Sequence, residues 1–242
     1  MSDISLRGEA TEAPVARARV RGGGIDWFFV VAVLLVAVTF VRVVYFTPTE
    51  ATQGPAQKIF YLHLPAALAA FMAFGLVALT SILYLWLKDP KLDLLAESSA
   101  EVGVVFTTMV LISGPLWGKP VWGTWWTWDA RLTLTLFLWF IYVGYLVLRG
   151  AVDDPAMRAR YSAVLGILGA LLIPFIHLSV YLFRTLHPMP IVLKPSAPSL
   201  PKEMLETLAL SFVSFTVLFF AFLRARYHLA LERAAIEAEE RR

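Results

Sequence analysis

The residues of this 242-residue chain with most chemistry to offer are four histidines and a dense patch of tryptophan. His63 lies in Tyr61-Leu62-His63-Leu64-Pro65, near the start of a long apolar stretch, and His187 follows another such stretch and immediately precedes Pro188. His177 sits within that later stretch, and His228 falls in the charged C-terminal segment, where a solvated surface position accounts for it. Five of the eight tryptophans lie between Trp117 and Trp128, in Trp117-Gly118-Lys119-Pro120-Val121-Trp122-Gly123-Thr124-Trp125-Trp126-Thr127-Trp128-Asp129-Ala130-Arg131. Tryptophan offers a wide, flat, apolar face and one N–H donor, so such a patch suits a large, flat, partly charged ligand. An interfacial aromatic belt would use the same residue type but would spread its rings among all helix ends. Here the other ends carry only isolated tryptophans, Trp27 and Trp86.

Neutral imidazole is the natural axial ligand of haem iron. Two imidazoles on one iron, each about 2 Å away, need ring nitrogens only about 4 Å apart, a condition that two separate elements can meet across a cleft. His63 and His187 fit this description. His177, ten residues before His187, would stand roughly 15 Å from it along a straight helix, so one iron cannot readily use both. A histidine inside a membrane span is a functional-site hypothesis, yet one interhelical hydrogen bond would satisfy His177 equally well. If the tryptophan stretch is helical, Trp122, Trp125, Trp126 and Asp129 share one face, with Trp128 and Arg131 beside it. A porphyrin could lie on that shelf with its propionates met by Arg131, Lys119, Lys58 or Arg184; burial of the same face between helices is the alternative. The absence of cysteine excludes disulfides, thiolate metal sites, iron–sulfur clusters and covalent haem attachment in this chain. No phosphate-cradling Gly-x-x-x-x-Gly-Lys-Ser/Thr loop and no His-Glu-x-x-His pair occurs, so any ATP-driven step belongs to a partner.

The elements that position these residues are membrane helices. With 59% hydrophobic and 16% charged residues and a mean hydropathy of +0.70, the chain reads as an all-α polytopic membrane protein. Each span needs about 20 apolar residues. Six stretches qualify, at 27–46, 59–87, 102–116, 132–148, 161–183 and 205–223. The organisation is thus a polar arm (1–26), a six-helix membrane domain (27–223) carrying a tryptophan-rich loop (117–131), and a charged tail (224–242) most simply read as a helical extension. The arm carries Arg17, Arg19 and Arg21 like a signal peptide, but the following apolar run is long and lacks a convincing cleavage site, so it reads as a retained anchor. Fourteen of the 21 basic residues fall on the side that holds both termini and seven on the other, counting Arg42. The positive-inside rule then puts both termini in the cytoplasm. The tryptophan loop and the proline-rich 187–204 loop, whose prolines favour extended backbone, face the outside.

Together these residues resemble the CcmC family, haem-handling membrane proteins of bacterial cytochrome c maturation. The resemblance is carried by Trp117 to Thr133, by Ile59-Phe60-Tyr61-Leu62-His63-Leu64-Pro65-Ala66-Ala67 and by Thr185-Leu186-His187, and it covers essentially the whole chain. The tryptophan motif is shared with larger haem-handling synthetases; the six-span length and the two flanking histidines select the smaller member. The resemblance implies haem b as a transiently bound cargo, axial ligation by His63 and His187, and a platform of Trp117, Trp122, Trp125, Trp126, Trp128, Asp129 and Arg131, with Lys58 nearby. It implies a haem-delivery subunit and not an enzyme, in the bacterial inner membrane with its site on the periplasmic face. Implied partners are an ATP-binding-cassette membrane subunit with its ATPase, a small single-span subunit and a membrane-anchored periplasmic haem chaperone, with no role for nucleic acid. Two other classes stay open. A secondary transporter would place ionisable groups near the bilayer midplane, where only His177 and Arg42 qualify, and a b-type redox protein would face histidine pairs inside the bundle.

Overall fold

The computed structural model describes residues 25–192, 194, 196 and 199–240. The arginines of the polar arm, Pro195, Pro198, Arg241 and Arg242 lie outside the described residues. Seven α-helices follow in order: α1 (Trp27–Val41), α2 (Phe60–Leu87), α3 (Pro90–Trp122), α4 (Ala130–Ala151), α5 (Pro155–Ala170), α6 (Leu172–Leu182) and α7 (Lys202–Glu240), with no strand among the described residues. A π-helical turn (Arg42–Phe46) prolongs α1, and a 3-10 turn (Pro55–Ile59) leads into α2. With α5 and α6 taken together, six helical units are long and apolar enough to cross a membrane.

Helix starts are written in the sequence as aspartates. Asp26 accepts from Phe28 N at 3.1 Å, Asp89 from Lys91 N at 2.9 Å, Asp129 from Leu132 N at 3.0 Å and Asp154 from Met157 N at 2.7 Å. Each satisfies an N–H that the first helical turn cannot, which stabilises by about 1 kcal/mol. In lipid the backbone must be satisfied within the helix, and side chains decide only how the helices meet. α2 carries a buried stripe of Ala66, Ala69, Ala70 and Ala73 that packs on α3, where Ala96, Ala100 and Gly103 are equally small. Such residues let two backbones approach closely where burial from water supplies no drive between helices. Phe74 stacks on Tyr142 with centroids 3.7 Å apart, and a Cβ on Gly103 would collide with that ring, so Gly103 makes room for the stack. The Tyr142 hydroxyl donates to Gly166 O at 2.8 Å, tying α4 to α5.

The acidic residues along the N-terminal half of α3 are paired. Arg149 donates to Asp93 at 2.6 and 2.8 Å and to Glu97 at 3.1 Å, while Arg226 meets Glu101, so one face of α3 is neutralised at its N-terminal end, opposite the tryptophans. Arg42 donates to Thr207 at 3.1 Å and to Glu206 at 3.3 Å on α7. It is therefore a tie between the first and last helices, which withdraws one of the two residues a transport reading had.

Two boundaries differ from the sequence reading. The third span, expected over 102–116, runs 33 residues from Pro90 to Trp122, so Trp117 and Trp122 belong to the helix and not to a loop. Its first turns were hidden because Glu97, Ser98, Ser99 and Glu101 interrupt the apolar run while facing helix partners or their own backbone. The fifth span breaks at Leu171 into α5 and α6, because Pro174 has no N–H for the carbonyl of Ala170. The last helix continues unbroken to Glu240, so the charged tail prolongs the sixth span as the helical extension expected of it.

Candidate functional site

The site forms where α3 ends and α4 begins. α3 stops because Gly123 adopts a left-handed backbone, φ 77°, while its N–H reaches Lys119 O at 3.0 Å, a conformation that favours glycine. Residues 124–129 are not helical, and the Thr124 hydroxyl bridges the turn to Trp126 O at 3.0 Å. The condition for Trp122, Trp125, Trp126 and Asp129 to share one helical face is thus not met. Trp122 stays on α3, while Trp125 and Trp126 are carried by a tight loop that Asp129 closes by capping α4 and accepting from the Thr127 hydroxyl at 3.2 Å.

Helix and loop together enclose a cavity of about 680 Å³, within the range of roughly 300–1,000 Å³ usual for small-molecule and cofactor sites. His63 from α2, Trp117 and Trp122 from α3, Trp125 and Trp126 from the loop, Arg131 from α4, His177 from α6 and His187 from the following segment all line it. Four of these rings form a continuous series. His63 meets Trp117 edge-on at 5.8 Å, Trp117 lies 6.4 Å from Trp122 at 29°, and Trp122 lies 5.5 Å from His187. Ring contacts thus run from one histidine to the other through a tryptophan pair. Their surroundings hold the series in place: Trp117 Nε1 donates to Gln53 Oε1 at 2.9 Å, and a Cβ on Gly118 would press on the Trp122 ring at 3.1 Å.

The histidines are held differently. His63 Nδ1 lies 2.9 Å from the Ser113 hydroxyl. His187 has its backbone N–H on the Thr185 hydroxyl at 3.1 Å, but its Nδ1 is buried without a partner, as is Trp126 Nε1. Burial, and then the Arg131 guanidinium, push the His187 imidazole down to about pKa 4 against a smaller opposing pull from Asp129. The ring is therefore neutral, with a free lone pair, across the physiological range.

Other residues of the expected set lie elsewhere. Lys58 donates to Val44 O at 2.6 Å and Lys119 to Gly123 O at 2.9 Å; neither lines the cavity. Arg184 is exposed and also outside it. Of the four cations considered for a propionate, Arg131 alone reaches the cavity, and no hydrogen bond or ion pair among the described residues engages its guanidinium. Trp128, 75% exposed, touches Trp126 from outside at 5.8 Å, and Asp129 is a cap that contacts neither an indole N–H nor Arg131 by hydrogen bond. His177 shares the cavity with His187, and the helix expected to join them ends at Leu182. Ser113 and Gln53 were invisible to sequence reasoning, since both act on partners 50 or more positions away.

The profile of the heme exporter protein C family matches residues 10–242. The chain is 36% identical to heme exporter protein C of Bradyrhizobium diazoefficiens over 88% of its own length and 78% of the relative's. For the protein of that name in Haemophilus influenzae the figures are 34%, 90% and 89%. For a putative cytochrome c biosynthesis ccmC-like mitochondrial protein of Marchantia polymorpha they are 35%, 79% and 78%. This multi-pass membrane chain belongs to the heme exporter protein C family.

Proposed function

We propose that the cavity holds haem b for delivery, with its iron between His63 and His187 and its ring against the tryptophans. The observation that carries this is that His63 and His187 line one cavity whose wall carries Trp117 and Trp122, in ring contact with one histidine each. No group of three or more His, Asp or Glu fit for a bare metal ion occurs among the described residues. Two imidazoles suffice only where the cargo brings its other ligands, as a porphyrin iron does. The polar atoms fit as well. Unpaired Arg131 and the orphaned Trp126 Nε1 are donors on the cavity wall, suited to a propionate carboxylate, and Lys58, Lys119 and Arg184 are displaced from that role. The relatives' name, heme exporter protein C, supports a role of binding, presenting and releasing haem.

The acceptor is a membrane-anchored periplasmic haem chaperone, and energy comes from an ATP-binding-cassette membrane subunit and ATPase, with a small single-span subunit completing the assembly. Orientation follows the fourteen-to-seven basic asymmetry. On a chain without native cysteine, a cysteine replacing Lys194 should react with an impermeant maleimide in intact spheroplasts and one replacing Asp154 should not. The opposite labelling pattern would place the cavity on the cytoplasmic face and end the delivery reading.

Delivery itself is tested at Asp129. Its carboxylate shapes the loop that carries Trp125 and Trp126 but does not face the cargo, so Asp129→Ala should cost about 1 kcal/mol of capping and leave haem bound. Transfer demands a correctly presented porphyrin edge. The chaperone–haem adduct formed per bound haem should therefore fall several-fold in Asp129→Ala membranes. An unchanged ratio for this variant and for a Trp125→Ala, Trp126→Ala double variant would reduce the loop to an interfacial anchor.

A further inference from the structure

We propose that Ser113 is a positioning residue that makes His63 the retained axial ligand and leaves His187 as the exchangeable one; the inference rests on the haem-binding reading above. A serine hydroxyl has one hydrogen. At Ser113 the Met109 carbonyl, 2.6 Å away, takes it. The hydroxyl oxygen then offers a lone pair to His63 Nδ1 at 2.9 Å, so Nδ1 carries the imidazole proton and donates it to Ser113. With the proton on Nδ1, Nε2 is the unprotonated nitrogen of a ring that lines the cavity. One serine thus selects the tautomer, fixes the ring's rotation and raises the basicity of the nitrogen left free, as outer-shell partners do for ligating histidines elsewhere.

His187 has none of this. It sits outside the helices, its buried Nδ1 has no hydrogen-bond partner, and only its backbone is tied, to Thr185. Trp122 packs on its ring, but no hydrogen bond from the described residues to its Nδ1 selects its tautomer. An iron held by both imidazoles is therefore bound unequally. When an acceptor's ligand arrives, the iron–His187 bond breaks first and the incoming donor takes the vacated position; no electron is transferred, and the haem stays attached through His63 until the acceptor is engaged.

The experiment is a double-mutant cycle on the full-length chain in nanodiscs, with added ferric haem and its dissociation rate into an apomyoglobin trap. In the native background, His187→Ala, which keeps His63, should hold haem about 10- to 100-fold longer than His63→Ala, the magnitude typical of an outer-shell hydrogen bond. In a Ser113→Ala background that difference should largely vanish, Ser113→Ala being without effect when His63 is already Ala. Ser113→Thr, which keeps the hydroxyl, should restore it. A Ser113→Ala penalty of equal size in both single-histidine backgrounds would show a packing role and overturn the inference. Wild-type protein that gives no low-spin haem spectrum would overturn the haem-binding reading itself, and the inference with it.

Discussion

Haem retention should fall more than about 100-fold when His63 is replaced by alanine, beyond the effect of losing an outer-shell partner, because an iron–nitrogen bond is lost outright. His187→Ala should also break six-coordination, and the residual haem in either variant should become five-coordinate or water-ligated, with added imidazole refilling the space and partly restoring the spectrum. His177→Ala is the informative control. His177 lines the same cavity from α6, so it competes with His187 for the role of second ligand on grounds of location. What separates them is the ring series: Trp122 packs on His187, whereas His177 meets Tyr181 at 6.3 Å. Low-spin haem that survives in His63→Ala but disappears in His177→Ala would reassign the ligands.

The second large effect is expected at Arg131. Its guanidinium lines the cavity without an engaged partner among the described residues, in a wall otherwise dominated by apolar and aromatic groups. A charge-assisted hydrogen bond contributes about 1.5–3 kcal/mol, so Arg131→Ala should weaken haem binding roughly 10- to 100-fold while leaving the axial spectrum low-spin. Arg131→Lys keeps the charge but not the two-pronged geometry and should recover only part of the loss. Haem whose propionates are esterified should bind wild type and Arg131→Ala alike. If the ester and the free acid respond equally to the substitution, Arg131 serves the packing of α4 and not the cargo.

Most of the fold was legible before any coordinates. Six apolar stretches became six membrane-length helical units, because in lipid a hydrophobic run of about 20 residues has few alternatives to helix. The third span was read short because hydropathy averages over polar residues that a helix buries against a neighbour or its own backbone. Glu97 and Glu101 shortened the apparent third span although Arg149 and Arg226 neutralise them. The tryptophan stretch, read as a loop that could present one helical face, divides into a helix end and a turn because of Gly123 at φ 77° and the Asp129 cap, two local signals in a segment where periodicity also suited a helix. Of the site, residue types and motif carried far: His63, His187, Trp117, Trp122, Trp125, Trp126 and Arg131 do converge on one cavity. Composition could not separate Arg131 from Lys58, Lys119 and Arg184, since charge says nothing about which carbonyl a flexible side chain will find. Nor could it reveal Ser113, whose meaning comes only from the 2.9 Å that α2 and α3 leave between its hydroxyl and His63.

The most direct measurement of the central claim is the absorption spectrum of the full-length protein, purified in detergent, loaded with ferric haem and freed of excess by gel filtration. If His63 and His187 hold the iron as proposed, the protein should carry one haem per chain with a six-coordinate, low-spin spectrum in both oxidation states. Haem that washes away, or stays with a five-coordinate high-spin spectrum insensitive to replacement of His63 and His187, would contradict it.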